Sequence, residues 1–361
     1  MLQRIVLKNF RNYKNLIFDI EEKTNVLIGD NGQGKTNFLE SIYFASMLRS
    51  FRTSRINELK NIDSKDFFVG LLYSNQYERS KLTVEYANNK KNIAIDNRRV
   101  TKSSQFINRF KTVVFAPNDI SIVMGNALQR RRFIDIIIIA LESNAVNVMY
   151  QYNMALKQRN SILRSGNIDR DVLNAFDKII VENGMQIAQW RKYYLKFLFE
   201  EISLMLNNTK VFNEEILFKF DYLNDEKTLN KDDFLALLNQ NYKRDLQRKQ
   251  TCNGVHLDDI DFSLNNKLLR KFGSNGQCRM LSLVLKMAQL KLLRKFNSDN
   301  RDIIVLVDDV TGDLDDNFKA LFFDIIENAN QIFFTFTDES KCEFINNYKK
   351  YKVKNGDILS F

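Results

Sequence analysis

The sequence predicts an α/β fold in which both ends of the chain form one domain and a mainly helical subdomain is inserted between them. Three observations favour this fold. A short apolar strand leads into a glycine-containing loop before residue 35, apolar residues then recur every three or four positions through much of 120–249, and a strand–helix–strand pattern returns after residue 258. We therefore divide the chain into an N-terminal part (1–119), a helical subdomain (120–249) and a C-terminal part (250–361).

The individual elements follow from alternation and from apolar runs. Alternating apolar and polar side chains indicate strands with one buried face, and a fully apolar run indicates a strand covered on both faces. Pro117, the only proline, ends one strand. The expected α/β elements are strands at 4–8, 15–18, 25–28, 112–115, 303–307 and 331–336, several short strands within 68–95, and helices from residue 35 and over 316–328.

Composition limits the classes of partner and compartment. The net charge of +10 favours polyanionic partners, although the abundance of Lys, Asn, Ile and Phe also accompanies an AT-rich genome. The longest apolar run is far shorter than the roughly 20 residues of a membrane-spanning helix, and the N-terminus lacks the pattern of an export signal. We expect a cytoplasmic protein with no membrane partner, in which Cys252, Cys278 and Cys342 are reduced thiols.

A phosphate-binding loop follows the third predicted strand. Residues 29–36 match the pattern G-x-x-x-x-G-K-[ST], in which glycines let backbone N–H groups face the phosphates and the next helix directs its positive end at them. We expect Lys35 to contact the β and γ phosphates and Thr36 to bind Mg²⁺ through its hydroxyl. The sequence therefore predicts an ATP–Mg²⁺ site. Its loop residues are Gly29, Asp30, Asn31, Gly32, Gln33, Gly34, Lys35 and Thr36.

Two aspartates end the apolar strand at 303–307. Ligands of open α/β sheets bind at the carboxyl ends of the strands, so we expect Asp308 to hold the metal, through water, and Asp309 to orient the attacking water. Many ATPases of this type carry glutamate at the second position. The shorter Asp309 side chain therefore predicts slow hydrolysis, with Lys35 as the other catalytic residue. The alternative is a simple acidic end to the strand.

Ser-Asn-Gly-Gln at 274–277 precedes a strongly helical stretch, and alone it is a good helix N-cap. It lies about 30 residues before the acidic strand, which is the order found in the ATP-binding-cassette class. In that class the motif caps the γ-phosphate bound to a second subunit, so Ser274, Gly276 and Gln277 become candidate nucleotide contacts. Residues 312–315, Gly-Asp-Leu-Asp, occupy the place of the D-loop of that class. Together these motifs predict a dimer closed by ATP.

Further motifs are typical of one family. They are Leu-Lys-Asn-Phe-Arg-Asn-Tyr at 7–13, Thr-Asn-Phe-Leu-Glu-Ser-Ile-Tyr at 36–43, Leu-Arg-Ser-Phe-Arg-Thr at 48–53, Val-Phe-Ala-Pro-Asn-Asp at 114–119, Arg-Arg-Phe-Ile-Asp at 131–135, and Tyr152 with Lys-Gln-Arg-Asn at 157–160. Over nearly its whole length the chain resembles RecF, the bacterial recombination mediators related to the heads of SMC-type ATPases. The resemblance implies an ABC/SMC-head-like P-loop ATPase domain and adds Arg11 and Asn37 to the nucleotide-binding residues.

The resemblance also implies a function. A RecF-like protein would dimerise around ATP, bind the junction of duplex and single-stranded DNA at a gap, and act with RecO and RecR in repair and replication, helping to load RecA. It would be a weak DNA-dependent ATPase whose hydrolysis releases the DNA. Candidate DNA contacts are Arg49, Arg52, Arg55, Arg130, Arg131 and Arg132. For either group of arginines the alternative is a solvated or ion-paired face.

One segment departs from the family pattern. Residues 254–260 read Gly-Val-His-Leu-Asp-Asp-Ile where the family has Gly-Pro-His-Arg-Asp-Asp-Leu. His256, the only histidine, is either a site residue or a structural one.

Three other functions stay open. They are a transporter ATPase subunit, a monomeric P-loop kinase or GTPase in which 274–277 is only a helix cap, and a DNA-binding structural protein with a vestigial ATPase. The stretch at 334–338 lacks the histidine that transporter ATPases carry there, which argues against the first.

Overall fold

The computed structural model describes residues 1–75, 79–166, 169–209, 216–221, 230–310 and 316–360. The chain divides into two compact units, one from 1–119 with 283–361 and the other from 120–282. The strands are β1 (Leu2–Phe10), β2 (Tyr13–Asp19), β3 (Thr24–Ile28), β4 (Phe67–Ser74), β5 (Arg79–Ala87), β6 (Lys90–Ile95), β7 (Arg98–Val100), β8 (Lys111–Phe115), β9 (Ile216–Asp221), β10 (Asp259–Leu264), β11 (Lys267–Leu268), β12 (Ile303–Asp308), β13 (Gln331–Phe336), β14 (Lys349–Lys354) and β15 (Asp357–Ser360).

The helices range in length from single turns to one long helix. They are α1 (Lys35–Met47), α2 (Ser103–Phe106), α3 (Ser121–Met124), α4 (Ala127–Leu141), α5 (Ala145–Ser165), α6 (Arg170–Thr209), α7 (Lys231–Gln240), α8 (Tyr242–Arg248), α9 (Leu269–Phe272), α10 (Asn275–Lys295) and α11 (Asp316–Glu327). Among the described residues, no helix is both long enough and apolar enough to cross a membrane.

The first unit contains two six-stranded sheets. One is antiparallel, with the order β2-β1-β4-β5-β6-β7, and the other has the order β15-β14-β3-β13-β12-β8. In the second sheet β14, β3, β13, β12 and β8 are parallel neighbours, and only β15 runs antiparallel. Every residue of β12 and β13 is buried, as expected for central strands covered on both faces. The predicted α/β class is therefore confirmed.

Helix α1 contacts both sheets of this unit. It begins at Lys35, as the sequence predicts, and most of its side chains are buried, including Phe38, Leu39 and Ile42. It ends where Leu48 adopts a left-handed backbone, with φ of 52°, and the Leu48 N–H caps the carbonyl of Phe44. The helix thus fixes the residues that follow the phosphate loop between two sheets.

The second unit is mainly helical but also contains a three-stranded sheet in the order β11-β10-β9. The sequence-based division assigns residues 250–282 to the chain ends, whereas in the structure they belong to this unit. The reason is long-range pairing, because β10 pairs antiparallel along its length with β9. Residues such as Tyr152, Ile180 and Phe234 form the buried helical core of the unit.

Candidate nucleotide-binding site

The phosphate loop joins β3 to α1 at the carboxyl end of the parallel strands. The Gly29 N–H donates to the carbonyl of Phe336 on the neighbouring β13, which holds the start of the loop at the sheet edge. Gly34 has φ of 121°, a backbone conformation that favours glycine, and a Cβ there would lie 2.7 Å from Asn12 Nδ2 and displace that amide. Asp30, Asn31 and Gly32 lie at the exposed tip of the loop. Residues 29–34 therefore form one loop that leads into α1 at Lys35.

Lys35 lies across this loop. Its ammonium donates to the carbonyl oxygens of Gly29 and Asp30, the latter at 2.8 Å, and the residue is only 7% exposed. Backbone carbonyls are weaker acceptors than phosphate oxygens, because hydrogen bonds between ionised partners are shorter and about twice as strong. A polyphosphate in the loop would therefore compete successfully for the Lys35 ammonium.

Thr36 and Asp308 meet at the start of α1 and the end of β12. The Thr36 hydroxyl donates to Asp308 Oδ1 at 2.7 Å, and the Thr335 hydroxyl donates to the same oxygen at 2.8 Å. Burial raises the pKa of Asp308, although the two hydroxyls act in the opposite direction. A hydroxyl and a carboxylate beside a phosphate loop fit Mg²⁺, which binds one or two carboxylates together with substrate phosphates. No sequence pattern points to Thr335, which the parallel pairing of β12 with β13 places here.

Asp309 follows directly after β12. Its backbone is left-handed, with φ of 47°, so the chain turns sharply at this residue. The carboxyl end of β12 is where the sequence predicts the catalytic acid, and the role of Asp309 stays a prediction. The D-loop residues 312–315 lie outside the described residues.

Arg11, predicted to bind nucleotide, is held by a buried carboxylate. Its guanidinium makes two 2.8 Å hydrogen bonds to Glu40 of α1, which is fully buried. Arg52 reaches the same region and donates to Asn37 Oδ1 at 2.7 Å, with its nearest contact to Glu40 at 3.5 Å. Arg52, a candidate DNA contact, is therefore part of the network around the first turns of α1. The partner of both arginines, Glu40, is identified only by the folded geometry.

Residues 274–277 form a capping box at the start of α10. The Gln277 N–H donates to Ser274 Oγ at 3.2 Å, and the Ser274 N–H donates to Gln277 Oε1 at 2.9 Å. A single chain therefore already makes the hydrogen bonds that the helix-cap alternative for this motif predicts. Contacts of Ser274, Gly276 and Gln277 with a nucleotide on a second subunit stay a prediction.

The basic candidates at the start of α4 have three different environments. Arg130 is 1% exposed and makes a bidentate ion pair with Asp259, at 2.7 and 3.0 Å. It is therefore not available to contact DNA, which corrects the sequence-based assignment. Arg131 is partly buried and donates to the Asp258 carbonyl at 2.6 Å, whereas Arg132 is exposed.

Arg49 and Arg55 lie after α1 and are both exposed, and Arg55 forms a 3.6 Å ion pair with Glu58. Lys91 of β6 lies close to Arg49. Partial burial lowers the pKa of Lys91, and the Arg49 charge lowers it further. Two neighbouring cations repel each other unless an anion lies between them. The sequence does not indicate that Lys91 is a neighbour of Arg49, because the two are distant along the chain. Strands β5 and β6 bring Lys91 beside α1 only in the folded chain.

His256 is held at both ring nitrogens. Nδ1 lies 2.7 Å from the hydroxyl of Tyr152, and Nε2 lies 3.2 Å from the carbonyl of Thr251. Burial lowers the pKa of His256 to about 4. His256 therefore has hydrogen-bond partners within the second unit, as the structural alternative predicts.

Two family-like motifs contribute buried ion pairs to the same unit. Arg159 of the Lys-Gln-Arg-Asn run bonds Asp177 at 2.5 Å and Asp245 at 2.6 Å, and all three side chains are nearly inaccessible. Asp135, the end of the Arg-Arg-Phe-Ile-Asp run, pairs with Arg191 at 2.8 Å. Removal of one partner of such a pair costs about 3–5 kcal/mol. These motifs therefore have a structural role that the sequence alone does not reveal.

The chain is similar over nearly its whole length to known proteins. A family model described as the RecF/RecN/SMC N-terminal domain matches residues 1–358. The DNA replication and repair protein RecF of Clostridium botulinum (strain Eklund 17B / Type B) is 33% identical over 369 residues, which cover 99% of each chain. A solved structure of the recombination mediator protein RecF with ATP has a TM-score of 0.90 at 29% identity and covers 100% of this chain and 97% of that one.

The Smc head domain of Pyrococcus furiosus has a TM-score of 0.53 at 13% identity, with 100% of this chain and 95% of that one covered, and so shares the fold. The family match spans nearly the whole chain, and the similarity to RecF extends over the full length of both proteins. This chain therefore belongs to the RecF family.

Proposed function

We propose that this protein is an ATP-dependent DNA-binding protein of recombinational repair and DNA replication, which closes as a dimer on ATP and Mg²⁺ and opens on slow hydrolysis. The observation that carries the proposal is the convergence of Thr36, Lys35 and Asp308 at the carboxyl end of the parallel sheet. A loop of this sequence with a carboxylate beside its threonine is the arrangement that nucleoside triphosphates with Mg²⁺ require.

The residues of the site suggest how ATP binding proceeds. The Lys35 ammonium would exchange the carbonyls of Gly29 and Asp30 for phosphate oxygens, and the N–H groups of the loop and of α1 would face the phosphates. Thr36 and Asp308 would hold Mg²⁺, which supplies charge neutralisation on the β and γ phosphates. Asp309 would then orient water toward the γ-phosphate. The short Asp309 side chain is consistent with slow turnover.

The nucleotide acts as a switch in this proposal. The γ-phosphate offers Ser274, Gly276 and Gln277 of a second copy a ligand that ADP lacks, and only such a differential contact favours the closed state. RecF relatives are named as DNA replication and repair proteins, and one RecF structure is described as part of the RecFOR pathway. We therefore propose RecO and RecR as partners, and cytoplasmic action at junctions of duplex and single-stranded DNA.

The DNA contacts that fit best are exposed basic residues, which are Arg49 and Arg55 in the first unit, with Lys91 beside Arg49, and, separately, Arg132 in the second unit. Exposed guanidinium and ammonium groups bind phosphates without reading sequence, so binding should be sensitive to salt and to junction shape. The relatives do not favour the alternative of a transporter subunit.

Sedimentation with and without ATP tests the dimer. Wild-type protein should form dimers with ATP and Mg²⁺, and Ser274→Arg should remain monomeric at the same nucleotide occupancy. Asn126→Arg is the matched control, because it removes a capping box of the same kind at α4. If no nucleotide-linked dimer forms in the wild type, the cassette mechanism fails.

Gel shifts with gapped, duplex and single-stranded DNA test the second half of the proposal. ATP should strengthen binding to gapped DNA most. Lys35→Ala should lose this stimulation, whereas Lys14→Ala, an exposed lysine of β2, should keep it. Full stimulation in Lys35→Ala would contradict the proposal.

A further inference from the structure

The turn between β14 and β15, near the end of the chain, contacts the phosphate loop directly. The Asn355 N–H donates to Gln33 Oε1 at 2.7 Å, and the Gly356 N–H donates to the Gln33 carbonyl at 3.1 Å. Both turn residues have left-handed backbones, with φ of 51° and 82°. This tight hairpin therefore presents two successive N–H groups to a single residue of the loop.

A second turn, between β1 and β2, holds the loop through side chains. Asn12 Nδ2 donates to the Gln33 carbonyl at 2.9 Å, and Asn12 Oδ1 accepts from Asn37 Nδ2 at 2.8 Å. The buried hydroxyl of Tyr13 donates to the carbonyl of Gly34 at 3.0 Å. Gln33 is thus bound by two hairpins that are remote from each other in sequence.

The three segments are packed closely. A Cβ built on Gly356 would lie 2.6 Å from the Asn12 carbonyl oxygen, and one built on Gly29 would lie 2.3 Å from the Val353 carbonyl oxygen. Both contacts are with backbone atoms, which have little freedom to move away. The hairpins therefore leave the loop little room to adopt another shape.

We propose that Asn12 and the Asn355–Gly356 turn are positioning residues of the nucleotide site, which hold the phosphate loop in its binding shape before the nucleotide arrives. Loop N–H groups bind phosphate only when they point inward together, and a loop that must be ordered on binding loses affinity. This inference rests on the proposed function, because it assumes that the loop binds ATP.

Gly356→Ala tests the proposal, with Gly166→Ala as its matched control. Both glycines have left-handed backbones, with φ of 82° and 76°, but a Cβ at Gly166 has no neighbour within 4 Å. Backbone strain is thus shared, and only Gly356→Ala presses on Asn12. We expect Gly356→Ala to weaken both ATP and ADP about tenfold in equilibrium titrations, since the loop surrounds phosphates common to both, and Gly166→Ala to bind both nucleotides like the wild type.

Melting temperature measured without nucleotide separates positioning from stability. If both variants melt at the same reduced temperature and both bind nucleotide like the wild type, the turn is merely structural and the inference is overturned. If the wild type binds neither nucleotide, the proposed function itself fails, which is a different result.

Asn12→Ala provides a second test if Gly356→Ala does not fold. It removes the side-chain bonds to Gln33 and Asn37 without adding an atom, and Asn15→Ala, at an exposed position of β2, is its control. Equal loss of ATP and ADP affinity in Asn12→Ala alone supports the proposal. Unchanged affinity in a folded Asn12→Ala contradicts it.

Discussion

The Thr36 hydroxyl donates a 2.7 Å hydrogen bond to Asp308, although 272 residues separate the two in the chain. The parallel pairing of β3, β13 and β12 brings them together, since their carboxyl ends meet at one edge of the sheet. The bond joins the second residue of α1 to the acid predicted to hold the metal. The N-terminal and C-terminal parts of the α/β domain therefore contribute to a single site.

Asp308→Asn should weaken Mg²⁺-dependent ATP binding about 10- to 100-fold, because the amide keeps the shape but loses the charge. ATP binding in EDTA should change little. The melting temperature without nucleotide should rise, since burial raises the pKa of this carboxyl and a neutral group is easier to bury. Titration of ATP with and without Mg²⁺ checks this, with the exposed Asp324→Asn as control. Equal loss of binding in EDTA would count against a metal role.

Glu40→Gln should destabilise the protein by about 3 kcal/mol, because it leaves the Arg11 guanidinium without the buried carboxylate that binds it twice. The free energy of unfolding, measured by denaturant titration, checks the magnitude. Glu58→Gln, at a more exposed glutamate, should change it by less than about 1 kcal/mol. A change of similar size in both variants would mean that the Glu40 pair is not the cause.

Local sequence patterns predict most of the α/β domain. Residues 331–336 form a strand with the predicted bounds, and α1 begins at the predicted Lys35, because a long apolar run and a glycine before a helix are local signals. The pairing of β9 with β10 is not local, and it moves residues 250–282 into the second unit.

The same distinction holds in the site. The loop motif predicts Lys35 and Thr36, but Glu40, Thr335 and the Asn355–Gly356 turn become recognisable only when distant segments meet. Arg130 shows the opposite error, since a run of three arginines gives no sign that the first is buried against Asp259.

Arg132→Ala and Arg130→Ala should separate a DNA contact from a structural ion pair. Arg132→Ala should weaken DNA binding about equally across sequences and lower the salt dependence by about one phosphate contact, with stability unchanged. Arg130→Ala should reduce stability, because it leaves Asp259 without its bidentate partner. Gel shifts at several salt concentrations and thermal melts check both variants. A stable Arg130→Ala protein with weakened DNA binding would restore Arg130 as a DNA contact.

The free energy of unfolding should decrease as the pH falls through the range between the unfolded and folded pKa values of His256. Burial lowers the folded-state pKa of this histidine to about 4, whereas the unfolded value is 6.5. Between these values the unfolded chain binds the additional proton, so the free energy of unfolding decreases as pH falls, by at most about 1.4 kcal/mol per pH unit. Above the unfolded pKa the contribution is constant. Denaturant titrations from pH 7.5 to 4.5 measure the slope, and His256→Gln should reduce it while the Tyr152→Phe variant keeps it. An unchanged slope in His256→Gln would assign the acid sensitivity to other groups, such as the Asp259 carboxyl, whose pKa is lowered by Arg130 and the Ile260 N–H despite its burial.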